Sequence, residues 1–273
     1  MKIFSPRTLL AAALLTALPM GSALACTVSA WTGAGTATTA DNAGGPGDGI
    51  ARYSGVCGLA VDSGDYVIDN TPGSEAVYRA RFYVLTRATS GATIFRATAN
   101  EDGGGAEVIK VDFNGSAFSF TQNGTAAGSV PGIVADRWYS IELFYKANDT
   151  FSAEVAGAAT FTGSVAPITT GIGNGTIGSA VLGVAAGTGS NFGFDAFEST
   201  RSETTEIGRL CRGDANASDS RTVADAVIIR NEVAGGDKAV GQPDTNEDGQ
   251  VTTADSVLVR NMVAGGLGAC TNP

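Results

Sequence analysis

Two stretches near the C-terminus place oxygen-bearing side chains at a spacing that can wrap a hard cation. The first reads Asp214-Ala-Asn216-Ala-Ser218-Asp-Ser220-Arg-Thr222-Val-Ala-Asp225; the second, Asp244-Thr-Asn246-Glu-Asp248-Gly-Gln250-Val-Thr252-Thr-Ala-Asp255, follows at an offset of 30. Oxygen ligands at loop positions 1, 3, 5 and 12, with a glycine at position 6 of the second copy, follow the pattern by which one turn of backbone encloses Ca2+. Two calcium sites are expected.

Paired carboxylates are the other chemistry to weigh. A retaining glycosidase needs two carboxyl groups about 5 Å apart, one ionised and one of raised pKa. Glu107 with Asp112, Asp62 with Asp65, and Asp195 with Glu198 are the nearest pairs, and none has the even spacing that puts both on one face of a strand. The chain has no His, which excludes a His-dependent triad and a His-ligated zinc. No catalytic residue is assigned, and if the chain is an enzyme the reaction class left open is glycoside hydrolysis. Trp31, Tyr53, Tyr66, Tyr83 and Trp138 are the aromatics available to stack on a sugar, although each type is more often core.

The elements that must position these groups follow from periodicity. After each loop comes an apolar helix that ends at paired glycines, Gly235-Gly236 and Gly265-Gly266, where the chain can leave without a Cβ penalty. Val223, Ala226, Val227, Ile229 and Val233 form an apolar stripe on the first, and Val257, Leu258, Met262 and Val263 on the second, so the two units are expected to pack together. No helix precedes either loop. Residues 33–49 read as an extended or mobile entry segment rich in Gly, Thr, Ala, Asn and Asp. From Val77 to Leu85 the sequence alternates, with Tyr78, Ala80, Phe82 and Val84 on one face and Arg79 and Arg81 on the other, the pattern of a half-buried strand. Glu107 to Phe113 and Ser116 to Thr121 flank a hairpin signal at Asn114-Gly115. Trp138 to Tyr145, Phe151 to Val155, Ala180 to Val184 and Phe192 to Phe197 complete a reading as a mainly β antiparallel sandwich.

Bulk properties bound the rest. Lys2 and Arg7, the apolar run Leu9 to Leu18 and Ala23-Leu24-Ala25 read as a signal peptide over residues 1–25, too short to span a bilayer. Cys26 directly after the cleavage site raises lipidation, but Ala stands at position 23 where a lipidation signal wants Leu. A formal charge of −10, or −12 once Lys2 and Arg7 are removed, speaks against nucleic acid and anionic membranes as partners. No other stretch is apolar enough for a membrane span. Four cysteines in an exported chain are expected as disulfides. Of the three pairings possible, Cys26 with Cys57 and Cys211 with Cys270 keep each bridge within its own region.

Two resemblances sharpen this reading. Trp138-Tyr-Ser-Ile-Glu-Leu-Phe-Tyr145, Phe151-Ser-Ala-Glu-Val-Ala-Gly157, Val181-Leu-Gly183 and Phe194-Asp-Ala-Phe197 resemble the concanavalin-like or laminin-G-like jelly roll, whose members commonly bind polysaccharide and sometimes hydrolyse it. The Glu-x-Asp-x-x-Glu pattern of the hydrolytic branch is absent. A duplicated calcium loop followed by one helix resembles the type I dockerin domain. That resemblance implies side-chain ligands Asp244, Asn246 and Asp248, the Gln250 carbonyl, a water near Thr252, a bidentate Asp255, and Val251 as core anchor. The first loop, with Asp214, Asn216, Ser218, Ser220 and Asp225, departs from the pattern at Ser218, Asp219 and Arg221, so the second site is expected to bind more tightly. Docking to a cohesin-like module is also implied, although Val223-Ala224 and Thr253-Ala254 stand where cellulosomal members carry Ser-Thr.

The organisation expected is a signal peptide over 1–25, a concanavalin-like sandwich over 26–200, a linker over 201–210 and a dockerin-like calcium-binding domain over 211–273. Polysaccharide or cell-surface polymer binding in polysaccharide degradation is the favoured function. A dockerin-borne glycoside hydrolase and an adhesive surface protein with a calcium-stabilised appendage remain open.

Overall fold

In the computed structural model the described residues are 31–34, 38–41, 52–86, 91–157, 161–189 and 191–270. The expected signal peptide, Cys26 and most of the entry segment lie outside them. The strands in chain order are β1 Gly33–Ala34, β2 Thr38–Asp41, β3 Cys57–Val61, β4 Tyr66–Asp69, β5 Val77–Leu85, β6 Ala92–Thr98 and β7 Glu107–Phe113. They continue with β8 Ala117–Gln122, β9 Thr125–Pro131, β10 Trp138–Lys146, β11 Thr150–Gly157, β12 Phe161–Ile168, β13 Ser179–Gly187 and β14 Phe192–Thr200, before helices α1 Val223–Val233 and α2 Thr253–Ala264. Two sheets of seven antiparallel strands result, ordered β1-β4-β13-β6-β7-β8-β9 and β12-β11-β10-β5-β14-β3-β2.

Alternation decides which side chains face inward. Tyr78, Ala80, Phe82 and Val84 of β5 and Tyr139, Ile141, Leu143 and Tyr145 of β10 enter the core between the sheets, where they meet Ile94, Phe95, Val111 and Phe120 of the opposite sheet. The other face of β5 is not half-buried as its pattern suggests: Arg79, Arg81, Tyr83 and Leu85 are buried too. The reason is the stretch read as a linker. Residues 201–210 lie along this face, with Ile207 and Gly208 donating backbone N–H groups to Glu142 at 3.1 and 2.8 Å. Leu210 N–H donates to the Tyr83 hydroxyl at 2.7 Å.

The hairpin at Asn114 differs in one respect from its sequence signal. Phe113 pairs with Phe118, so four residues turn the chain. Asn114 accepts the N–H groups of Ser116 and Ala117 at 3.0 and 2.8 Å, and positive φ falls on Gly115 alone of the pair, at 99°. In β13, Gly183 (φ 129°) is required by closeness: a Cβ there would lie 2.6 Å from the Asp65 carbonyl oxygen.

The C-terminal unit is stapled by Cys211–Cys270, with Cα atoms 5.4 Å apart. Cys57 is disulfide-bonded as well, and its expected partner Cys26 is outside the described residues. Helices α1 and α2 pack through Ala226, Ile229 and Val259, with Val251 and Val263 against them. The stripes drawn from sequence are corrected at three positions. Val223, Val227 and Val257 are exposed at 59, 39 and 53%, because the tight helix contact is made by small residues, with Ser256 Oγ donating to the Ala226 carbonyl at 2.7 Å.

Candidate metal centre

Each loop folds around its first residue. The Asp244 carboxylate accepts the N–H groups of Asp248 at 3.1 Å and Gly249 at 2.7 Å. Asp214 accepts those of Ser218 at 3.0 Å and Asp219 at 2.7 Å. The backbone turns left-handed at the same two places in both copies, Ala217 (56°) and Asp219 (60°), then Glu247 (58°) and Gly249 (83°). Gly249 takes this geometry freely, whereas Asp219 pays a steric penalty of about 1 kcal/mol.

The twelfth residue closes each loop onto its helix. Asp255 accepts N–H groups of Thr245 and Asn246 at 2.8 and 3.0 Å through one oxygen, and the Thr252 N–H at 2.8 Å through the other. Asp225 repeats this toward Asn216 and Thr222 at 3.1 and 2.7 Å. Thr222 and Thr252 cap α1 and α2 reciprocally with these acids, a capping box that joins loop closure to helix start. Asn246 and Asn216 turn their side-chain oxygens inward, accepting N–H from Asp248 and Ser218 at 3.0 and 3.1 Å.

The donor set is carboxylate, amide, hydroxyl and carbonyl oxygen without nitrogen or thiolate, which fits Ca2+ among the hard cations. Asp244 is 1% exposed. Burial first, then the charges of Asp255 and Asp248, push its carboxyl well above the ordinary range. Among the described residues the compact group of metal-capable atoms within 4.8 Å is Cys211, Asp214 and Cys270. Its two sulfurs are bonded to each other and offer no thiolate. Asp244, Asp248 and Asp255 are spread more widely, with Asp255 turned to its helix N-terminus, so a cation would draw them together. In the first loop Ser218 replaces a carboxylate, and Arg221 leaves the core to donate to the Leu267 and Ala269 carbonyls at 2.8 and 3.1 Å.

The acid pairs weighed for catalysis have structural partners. Glu107 faces Arg96 at 3.9 Å and Asp112 faces Lys110 at 3.1 Å. Asp65 accepts the Asp62 N–H at 3.0 Å, and Glu198 pairs with Arg81 at 2.8 Å. Asp195 accepts the N–H groups of Tyr53, Ser54 and Ala196 at 2.6, 2.9 and 2.6 Å. Sequence spacing missed one pair, Glu142 and Glu154, directly opposite across β10 and β11. Glu142 is held by Arg79 at 2.8 Å and by the 201–210 segment, which ties it to structure.

Of the aromatics considered for sugar stacking, Tyr53, Tyr83 and Trp138 are wholly buried. Tyr53 stacks on Tyr83 with centroids 3.7 Å apart and meets Trp138 edge-on at 5.6 Å. They form the floor on which the C-terminal unit sits. Tyr66 is half-buried. Trp31 is also half-buried, packs on Phe197 at 5.1 Å, and lines an apolar cleft of about 480 Å³ with Leu59, Asp69, Thr71 and Phe194.

Sequence reasoning missed the residues that join the two units. Arg52 pairs with Glu232 in a buried contact. Glu247, wholly buried, accepts the Tyr53 hydroxyl at 2.6 Å and Arg209 Nη2 at 2.7 Å. A signal was present in the repeat itself: Glu247 stands where the first copy has Ala217, and Glu232 where the second has Met262.

No family model and no curated protein matches the chain. Solved structures of similar fold include a botulinum neurotoxin type G receptor binding domain, with TM-score 0.39 and 13% identity over 62% of this chain and 44% of that one. A Trypanosoma rangeli sialidase mutant with trans-sialidase activity aligns with TM-score 0.43 and 12% identity over 62% of this chain and 28% of that one. An alginate lyase of polysaccharide lyase family 7 gives 0.35 and 13% over 50% and 71%. The chain thus spans less than half the length of the first two. Among the described residues no helix is long and apolar enough to cross a membrane.

Proposed function

We propose that this is an exported calcium-binding protein whose C-terminal paired loop-helix unit docks to a cohesin-like module and whose sandwich engages polysaccharide or a cell-surface polymer. The observation that carries the calcium reading is the repetition of one loop skeleton, in which an acid at position 1 accepts the N–H groups of positions 5 and 6 in both copies. Ca2+ would be held by Asp244, Asn246, Asp248, Gln250 and Asp255, and by Asp214, Asn216, Ser218, Ser220 and Asp225. Bound there, it neutralises crowded carboxylates and orders the helices whose first turns contain the twelfth residues, Asp225 and Asp255.

Docking is supported by what the two copies leave exposed in common. Val227, Arg230 and Asn231 of α1 match Val257, Arg260 and Asn261 of α2, all open to solvent, so each helix exposes the same set of one apolar, one basic and one amide side chain. The Trp31–Phe197 cleft is the surface best suited to a sugar ring, since aromatic walls stack on apolar sugar faces and Asp69 and Thr71 sit beside them.

Calorimetric titration of the full chain with Ca2+ tests the first part. Two sites are expected, the tighter lost in Asp244→Ala; a wild-type protein that takes up no calcium sinks the reading. Capture by a panel of cohesin modules, with and without EDTA, tests docking, and an Arg230→Glu/Arg260→Glu variant should abolish it. Retention on a polysaccharide panel, lost in Trp31→Ala, tests the cleft, and release of reducing sugar from that panel would instead favour a hydrolase.

A further inference from the structure

Two consecutive residues of the second loop, Asn246 and Glu247, are held from outside it. Arg137 Nη1 donates to the Asn246 carbonyl at 3.2 Å, and the Trp138 N–H donates to the Glu247 carbonyl at 2.9 Å. Tyr53 and Arg209 converge on the Glu247 carboxylate, and Asp248 follows directly. Asn246 and Asp248 are the position-3 and position-5 ligands, so the sandwich grips the backbone between two of the groups that would bind the cation. In the first loop, no hydrogen bond of Asn216, Ala217 or Ser218 among the described residues reaches the sandwich, and Ala217 offers no side chain to grip.

We propose that the sandwich completes the second calcium site from outside: Tyr53 and Arg209, acting through Glu247, are positioning residues that set its affinity, and calcium in turn seats the C-terminal unit on the sandwich. This rests on the calcium reading above and deepens it. A ligand segment already fixed in its bound geometry loses less freedom on binding. Linkage makes the effect reciprocal, so whatever seating contributes to calcium binding, calcium contributes to seating. The two copies thereby acquire different tasks. The second loop joins the unit to its own chain, and the first binds a cation without that support.

The test uses the full chain. Tyr53→Phe removes one hydroxyl and no charge, so a change in calcium affinity cannot come from altered net charge. Second-site affinity should fall about five- to tenfold with the first site unchanged. Arg209→Gln separates coupling from bare electrostatics by sign. Removing a positive charge beside the loop would by Coulomb attraction alone tighten calcium binding, whereas lost positioning weakens it. As a readout free of any titration, amide exchange at residues 52–55 and 137–138, which contain no calcium ligand, should slow when calcium is added.

Unchanged second-site affinity in Tyr53→Phe with native circular dichroism, equal weakening of both sites, tighter binding in Arg209→Gln, or calcium-insensitive exchange at 52–55 would each overturn the proposal. These outcomes are distinct from failure of the calcium reading, in which the wild-type chain itself shows no binding.

Discussion

Arg52 and Glu232, 180 positions apart in the chain, form an ion pair with 0 and 3% of their side chains exposed. The other Glu232 oxygen accepts the Ala239 N–H at 2.8 Å, so the pair is embedded in backbone hydrogen bonds on the helical side. Removing one partner of a buried pair costs up to about 3–5 kcal/mol, an upper figure here because Lys238 still faces Glu232 at 3.9 Å. Arg52→Ala should therefore destabilise the folded chain by that order in denaturant titration. Arg52→Met combined with Glu232→Met, which copies the Met262 of the second repeat, should recover most of the loss. A double variant as unstable as the single one would show that the pair is not what seats the helical unit.

The helical unit has two internal constraints, and removing them singly and together separates them. Cys211–Cys270 spans a sequence separation of 59, worth about 4 kcal/mol by loop-closure entropy, an upper figure. The second is the proposed calcium, which would oppose the repulsion among Asp244, Asp248 and Asp255. EDTA should lower the temperature at which helical circular dichroism is lost while leaving the β signal of the sandwich in place. EDTA with reductant should abolish the helical signal at room temperature. Helical signal that is indifferent to EDTA would mean that disulfide and core suffice.

The parts of this architecture legible in the sequence are those set by local periodicity. The β5 and β10 alternations placed Tyr78 to Val84 and Tyr139 to Tyr145 in the core, and the repeated loops ended in helices at Thr222 and Thr252. What was not legible depends on segments meeting from afar. Arg79 and Arg81 read as a solvent face because their cover, residues 201–210, carries no apolar pattern. Tyr53, Tyr83 and Trp138 were open between core and sugar platform, since nothing local says that a second unit lies over them. Val227 and Val257 read as buried because a stripe does not reveal that Ala226 and Ser256 bring the helices close enough to leave valines outside. Strands β1, β2, β3, β4, β6, β9 and β12 were missed: β1 and β2 fall within the stretch read as an entry segment, and β9 is mostly exposed with little apolar content.

Asp195 should make stability depend on pH in a direction opposite to an ordinary surface acid. Burial, only partly offset by the N–H groups of Ser54, Tyr53 and Ala196, raises its carboxyl from 3.8 to about 6. Between these values the folded protein holds a proton that the unfolded chain releases. Stability from this group is therefore full below about pH 4 and is lost as pH rises through 6. Asp195 keeps some solvent contact, so the change is roughly 1–2 kcal/mol, less than the full displacement implies. Comparing denaturant midpoints of wild type and Asp195→Asn from pH 4 to 7 isolates it; a difference that does not vary with pH would refute the assignment.

Gly241 lies where the helical unit crosses itself and meets the sandwich. Its N–H donates to the Ala215 carbonyl at 2.9 Å, and its own carbonyl accepts the Gly55 N–H at 3.1 Å. A Cβ there would stand 2.0 Å from the Asp214 carbonyl oxygen and 2.7 Å from the Ala217 nitrogen. Those are backbone atoms that cannot swing aside. Gly241→Ala should cost about 3 kcal/mol and weaken first-site calcium binding, because Asp214 moves with its carbonyl. Gly235→Ala, at a helix end where a Cβ meets nothing within 4 Å, should cost only its positive-φ strain of about 1 kcal/mol and leave calcium binding intact.

The first loop can be repaired toward the second. Ser218 Oγ lies 3.2 Å from Ser220 Oγ and 3.3 Å from the Ser220 carbonyl, so a hydroxyl occupies the place where Asp248 presents a carboxylate. Ser218→Asp adds a charged oxygen ligand on a backbone already bent as in the second copy, and more ligand charge raises calcium affinity. Asp219→Gly removes left-handed strain of about 1 kcal/mol. The double variant should therefore bind calcium at the first loop at least about tenfold more tightly by calorimetry. Second-site affinity should stay put, since its grip comes from Tyr53 and Arg209. If the repaired loop gained nothing, the weakness of the first site would lie outside positions 5 and 6, in the missing grip of the sandwich on Ala217 or in Arg221, which replaces the core anchor Val251.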